Sequence, residues 1–150
     1  MPIFEPKYKL AIKVIEHYEG FSATPYLDSV GVKTIGYGRT HGDLDTPTTK
    51  EKERLWVLDY CEALNDDLND LIVPRMNDHQ MAALLSFTYN VGTGSLSRST
   101  LRKLINQNRT VRAGDEFLRW SKAGTNVLPG LVKRRMTEYI LFKHSKLLFF

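Results

Sequence analysis

Glu19-Gly20-Phe21-Ser22-Ala23-Thr24-Pro25-Tyr26-Leu27-Asp28-Ser29-Val30-Gly31-Val32-Lys33-Thr34-Ile35-Gly36-Tyr37-Gly38 opens with a carboxylate at the predicted end of a helix and closes on a short strand punctuated by glycines. A second carboxylate, Asp28, follows nine positions after Glu19, and six more lead to the hydroxyl of Thr34. Two acidic groups in different backbone settings can be driven to different protonation states. Bond cleavage that needs one acid and one base requires that difference.

The residues before Glu19 predict a helix. Leu10, Ala11, Val14, Ile15 and Tyr18 form one apolar stripe at helical period. Pro6 suits the first turn and Gly20 the position just past the end. Glu19 then lies in the last turn, where the unpaired carbonyls and the negative end of the helix dipole disfavour its ionised form by roughly 0.3–1 kcal/mol. Desolvation by the flanking Tyr18 and Phe21 pushes the same way. Taken alone, Glu19 reads first as a solvated helix-end residue.

Thr24-Pro25 predicts extended chain. Beyond Asp28, Val30, Val32 and Thr34 alternate with Lys33, Ile35 and Tyr37, a strand-like pattern interrupted by Gly31, Gly36 and Gly38. A small twisted hairpin or three-stranded sheet follows, with Asp28 at its start and Thr34 across the turn. On these residues alone, Asp28-Ser29 is an ordinary turn former and Thr34 an ordinary strand residue.

Glu19-Gly20, Tyr26-Leu27-Asp28 and Gly31-Val32-Lys33-Thr34-Ile35-Gly36-Tyr37-Gly38 together resemble the active-site segment of the phage-type lysozymes, glycoside hydrolase family 24. Leu84-Leu85-Ser86-Phe87-Thr88-Tyr89-Asn90-Val91-Gly92 resembles that family's second cleft wall. Gly130-Leu131-Val132-Lys133-Arg134-Arg135-Met136-Thr137-Glu138 resembles its C-terminal GL-x-x-RR-x-x-E helix. The resemblance implies that Glu19 is the general acid, that Asp28 assists the attacking water and that Thr34 holds it. It sets Tyr89 and Asn90 opposite Glu19, and it implies an inverting muramidase that cuts bacterial peptidoglycan at the end of phage infection. Tyr26, Tyr89 and Asn90 are the candidate substrate-binding residues. Many members carry His after Gly-Tyr-Gly where this chain has Arg39, so an arginine ion pair is expected in place of a histidine one.

The rest of the chain predicts helices. Thr48 and Glu51 form an expected capping box for a helix over 49–73, with Val57, Cys61, Leu64 and Leu68 on one face. A rod of that length spans roughly 35 Å. The expected fold is therefore α+β and mostly helical. It is one domain with a small N-terminal β-hairpin lobe (roughly 1–50) and a C-terminal helical lobe (74–150), joined by the long helix. Asn77 and Gln80 predict a second capped helix. Short helices are expected from Thr100 to Gln107 and from Val111 to Trp120, and a last helix after Pro129. Trp120 is expected in the core; Arg134 or Arg135 is placed to reach the cleft and pair with an acid, with at least one of the two expected at the surface. The tail Leu147-Leu148-Phe149-Phe150 either packs back on the core or, beside its lysines, touches the envelope.

At 150 residues, with 42% hydrophobic and 25% charged positions, the chain is globular and able to bury about two-thirds of its unfolded surface. A net charge of +4 suits an anionic partner such as the bacterial wall. No RNP signature, zinc-finger spacing or Walker loop points to nucleic acid. The four histidines are scattered and the one cysteine has no partner, so no disulfide, metal or cofactor is expected. The Met1–Leu10 stretch lacks a signal-peptide core and no apolar run is long enough to span a membrane. The resemblance then implies synthesis in the host cytoplasm, release through a separate holin-type protein, action on the periplasmic wall, and a monomer. Two other classes remain: a lytic transglycosylase giving anhydro-muramyl products, and a wall-binding protein without catalysis.

Overall fold

Pro6 starts the first helix of the computed structural model, which describes residues 4–150; Met1 to Ile3, part of the stretch expected to lack an export signal, lie outside the described residues. This helix, α1 (Pro6–Glu19), buries Tyr8, Ala11, Ile12, Val14 and Ile15 and ends at Gly20. An antiparallel hairpin follows, built of β1 (Ser22–Leu27) and β2 (Lys33–Gly36). Its register pairs Ser22 with Gly36 but Tyr26 with Thr34, so β1 bulges through Ala23-Thr24-Pro25. A bulge is where a strand tolerates proline. The regular strand is shorter than the sequence pattern suggests. Val30 and Val32 lie exposed in the turn, and a single Ile35–Arg39 bridge stands where a third strand was possible.

The long helix α2 (Lys50–Leu71) has 22 residues, about 33 Å, and buries Val57, Cys61, Leu64 and Leu68. Its cap is Thr49, whose hydroxyl accepts from the Lys52 N–H, and not Thr48. Thr48 is diverted because its hydroxyl donates to Glu53 at 2.8 Å. At the other end the Leu71 carbonyl accepts from Arg102 Nε and Asn106 Nδ2, both at 2.9 Å. These two side chains satisfy a terminal carbonyl that the helix leaves unpaired. Cys61 is fully buried beside α2's other core residues, and burial pushes its thiol up to about 12.

The centre of the core is α3 (Asp78–Val91), with every residue from Met81 to Thr88 buried. A helix apolar on all sides needs neighbours on all sides, and α1, α2 and α7 (Pro129–His144) supply them. The predicted capping box at its start is present, with Asn77 and Gln80 exchanging hydrogen bonds of 2.8 and 3.0 Å. Between α3 and α7 run α4 (Thr93–Ser97), α5 (Thr100–Asn106), α6 (Thr110–Glu116), a 3₁₀ turn (Phe117–Arg119) and a small ribbon, β3 (Lys122–Ala123) with β4 (Asn126–Val127). Trp120 is partly buried with its ring edge-on to Phe87 at 5.3 Å, as expected of a core residue. The tail returns to the body. The Leu148 carbonyl accepts from the Thr137 hydroxyl at 2.7 Å, and the Phe149 ring lies 4.3 Å from that of His17.

Candidate active site

Asp28 closes the hairpin turn. Its N–H donates to the Val32 carbonyl at 2.9 Å, and its Oδ1 accepts from the Val30 and Val32 amides at 3.0 and 2.8 Å. One carboxylate oxygen is thus spent on shaping the turn, which leaves Oδ2 without a hydrogen bond from the described residues. Thr34, only 4% exposed, donates its hydroxyl proton to the Val32 carbonyl at 2.9 Å. With that proton committed, the oxygen lone pairs are what it can offer a water. Tyr26 pairs with Thr34 across the hairpin and is exposed.

Glu19 ends α1, 23% exposed, with Oε2 accepting from Arg134 Nη1 at 2.8 Å. From sequence, the negative helix end and two aromatic rings bear on this group, and one of Arg134 and Arg135 is expected to pair with an acid in the cleft; in the structure Arg134 pairs with Glu19. Tyr18 instead sends its hydroxyl to α7, at Thr137 and the Lys133 carbonyl, and Phe21 packs on the Tyr37 ring. The other oxygen, Oε1, faces Gly38, where a built Cβ would sit 3.1 Å away. Gly38 has φ +86°, in the region that favours glycine, so the hairpin's second turn both needs a glycine and keeps the acid's free oxygen uncrowded.

That second turn is anchored from two sides. The Tyr89 hydroxyl donates to the Tyr37 carbonyl at 2.7 Å, tying α3 to the hairpin. Burial, and next the charge of Glu19, push the Tyr89 phenol above its ordinary range, so it stays a donor. On the other side Arg39 clasps Glu53 in a two-pronged pair, Nε to Oε2 at 3.0 Å and Nη2 to Oε1 at 2.9 Å, while Nη1 binds the His41 and Asp43 carbonyls. An Arg ion pair was expected here; its partner, Glu53, was not identified. The Glu53 carboxyl also packs under Gly36.

Behind Glu19, Arg134 and Arg135 are both buried, against the expectation that one would be at the surface. A buried guanidinium needs every donor matched, and α7 supplies the means. Arg134 reaches the Ser86 carbonyl at 3.0 Å and Glu138 at 3.4 Å; Arg135 reaches the Trp120 carbonyl, Glu138 and Asn90. The Asn90 amide oxygen is therefore engaged by Arg135. Ser86 and Glu138 appear in the motifs of the chain, but no local signal assigns them to this network.

The family model for phage lysozyme matches residues 16–138. The chain belongs to the phage lysozyme family. Among curated relatives, the endolysin of Bacillus phage PZA is 37% identical over 87% of this chain and 52% of its own length. The chain thus spans about half of that relative. The endolysin of Acyrthosiphon pisum secondary endosymbiont phage 1 is 33% identical over 88% of this chain and 94% of its own. Among solved structures, the endolysin from Escherichia coli O157:H7 phage FAHEc1 superposes with a TM-score of 0.85 at 25% identity, covering 99% of this chain and 97% of that one. This phage lysozyme homologue has the expected α+β, mostly helical class. Among its described residues no helix is long and apolar enough to cross a membrane, and no cluster of three His, Cys, Asp or Glu could hold a metal ion.

Proposed function

We propose that the protein is an endolysin-type muramidase that hydrolyses the β-1,4 bond between N-acetylmuramic acid and N-acetylglucosamine in peptidoglycan. The observation that carries this reading is the one-sided restraint of Glu19. Arg134 occupies Oε2, so a transferable proton belongs on Oε1, beside Gly38. Glu19 delivers that proton to the glycosidic oxygen as the bond to the anomeric carbon breaks. A water attacks from the opposite face, giving its proton to Asp28 Oδ2 while its second hydrogen bonds to Thr34 Oγ1. Both hydrogen-bonding sites on the hairpin are acceptors, which fixes which way the water's lone pair points.

The product inverts at the anomeric carbon in this scheme, which needs carboxyl groups roughly 6.5–9.5 Å apart; about 5–5.5 Å belongs to a covalent intermediate. The two lobes, 1–50 and 74–150 about the 49–73 helix, would form the walls on a sugar strand, with Tyr26, Tyr89 and Asn90 along it. The working form is a monomer, made in the host cytoplasm and admitted to the wall by a separate holin-type protein.

The test pairs Glu19→Gln with product chemistry. Glu19→Gln is expected to slow clearing of chloroform-treated Gram-negative cells by about 10²–10⁴-fold, the range for a general acid. Unchanged clearing refutes the assignment. Mass spectrometry of the fragments should find free reducing ends; fragments lighter by one water would make the chain a lytic transglycosylase instead.

A further inference from the structure

We infer that Glu138 is a positioning residue which, through Arg134, sets how readily Glu19 holds its proton and therefore the pH above which activity is lost. The inference rests on the reading of Glu19 as the general acid.

Glu138 is wholly buried in α7 and wedged between two guanidinium groups. Its Oε1 accepts from Arg135 Nη1, and its Oε2 accepts from the Ser86 hydroxyl at 2.6 Å and faces Arg134 Nε at 3.4 Å. Arg134 is thereby held at three corners of a rigid plane: Nε toward Glu138, Nη2 on the Ser86 carbonyl, Nη1 on Glu19. Fixing two corners of a guanidinium aims the third.

When Glu19 is ionised the charges in this cluster balance, two arginines against Glu19 and Glu138. Asp28, on the hairpin turn, is a second carboxylate facing the site in the proposed scheme, and every variant used in the test keeps it unchanged. Tyr89 on α3 is a neutral phenol, Asn90 on α3 is a neutral amide bound to Arg135, and the hairpin presents Gly38 to the acid. On α1, Glu16 is paired with Arg54 and His17 lies against Phe149. Among the described residues Glu138 is thus the one carboxylate hydrogen-bonded to both arginines, and it shares Arg134 with Glu19. Its negative charge opposes ionisation of Glu19 and draws part of Arg134's attraction away. Without that charge, Arg134 would be left with Glu19 as its sole carboxylate and Arg135 with none. Glu19 would then stay ionised to a lower pH. A general acid works only while protonated, so the limb on which activity falls with rising pH must move down.

Glu138→Gln, nearly isosteric, is the test, read in two ways on the intact chain. The ¹³C carboxyl titration of Glu19 by NMR and the pH dependence of kcat/KM should both move to lower pH by about one unit, the lesser end of the effect of a nearby opposite charge. At a pH above the limb this is a tenfold loss of activity. Well below the limb, where Glu19 is protonated in both proteins, kcat should match the parent. A loss at every pH with an unmoved limb would mean a structural role only and overturns the inference. A Glu19 titration that stays put also overturns it. A titration that moves while the limb does not would instead overturn the assignment of Glu19 as the acid.

If Glu138→Gln does not fold, Ser86→Ala serves. It keeps every charge but releases Glu138 Oε2 toward Arg134, weakening the hold on Glu19. The limb should then move the other way, to higher pH. A limb that is unmoved or lowered in Ser86→Ala contradicts the inference.

Discussion

Gly38→Ala separates backbone strain from crowding of the acid. Gly38 sits at φ +86° and a Cβ there would lie 3.1 Å from Glu19 Oε1, closer than ordinary van der Waals contact. The left-handed conformation costs a non-glycine residue roughly 1–2 kcal/mol, a fall of roughly 2–8 °C in Tm for a chain of this size. The methyl group adds a second effect. Glu19 cannot slide freely away, because its other oxygen is bonded to Arg134 at 2.8 Å. A displacement of a few tenths of an ångström follows. If 1 Å of misplacement costs about 100-fold, this shift costs about three- to tenfold in clearing rate. Gly124→Ala supplies the control: its φ is +63° with nothing within 4 Å of the added Cβ. Both variants should melt earlier by similar amounts. Only Gly38→Ala should clear cells more slowly, measured per folded molecule by circular dichroism. Equal activity in the two variants would refute the claim that the glycine keeps Oε1 open.

Thr34→Val keeps the branched shape but removes the hydroxyl; clearing should fall at least tenfold while stability drops by about 1 kcal/mol, checked by turbidity and thermal melts. Glu53 governs acid stability. Burial pushes its carboxyl up, but the hydrogen bonds from Arg39 and Thr48 outweigh that and leave it below its ordinary value. Its contribution is therefore whole above about pH 4.3, the unfolded value, and is lost as pH falls through the lower, folded one. Glu53→Gln should flatten that part of the stability–pH curve and cost about 3–5 kcal/mol at neutral pH, because Arg39 loses its buried partner. Tyr89→Phe should destabilise by about 1–3 kcal/mol through the stranded Tyr37 carbonyl, with urea titration as the measurement. Deleting Leu147 to Phe150 removes the Thr137 bond and the Phe149–His17 contact and should lower Tm; an added loss of killing of intact cells, per folded molecule, would show that the tail also touches the envelope.

What the sequence discloses here is local. Pro6 and Gly20 bracket α1, and Asn77 with Gln80 announces α3, because each signal acts within a turn or two of helix. Asp28 and Thr34 lie on one hairpin, so their juxtaposition follows from a short stretch of alternation. Thr48 and Thr49 illustrate the limit. Both can cap a helix, and what separates them is Glu53, which accepts the Thr48 hydroxyl and leaves Thr49 as the cap. The ribbon of β3 and β4 leaves no mark in the sequence because two residues per strand show no period. The network around Glu138 leaves none for another reason. Ser86 and Glu138 lie 52 positions apart, and Arg134 and Glu19 lie 115 apart. The motif offers one arginine to an acid in the cleft, but nothing in a local window says that both will be drawn inside or which distant carboxylates will hold them.

Cys61 carries a further implication. A thiol with no exposed surface, pushed up to about 12, holds almost no thiolate at neutral pH and offers oxidants no approach. The one thiol is sealed on the buried face of α2, so the fold neither contains nor invites a disulfide whatever the electrochemical potential of its surroundings. The molecule can pass from a reducing medium into an oxidising one without dimerising through this thiol, and needs no thiol chemistry to keep its fold on either side.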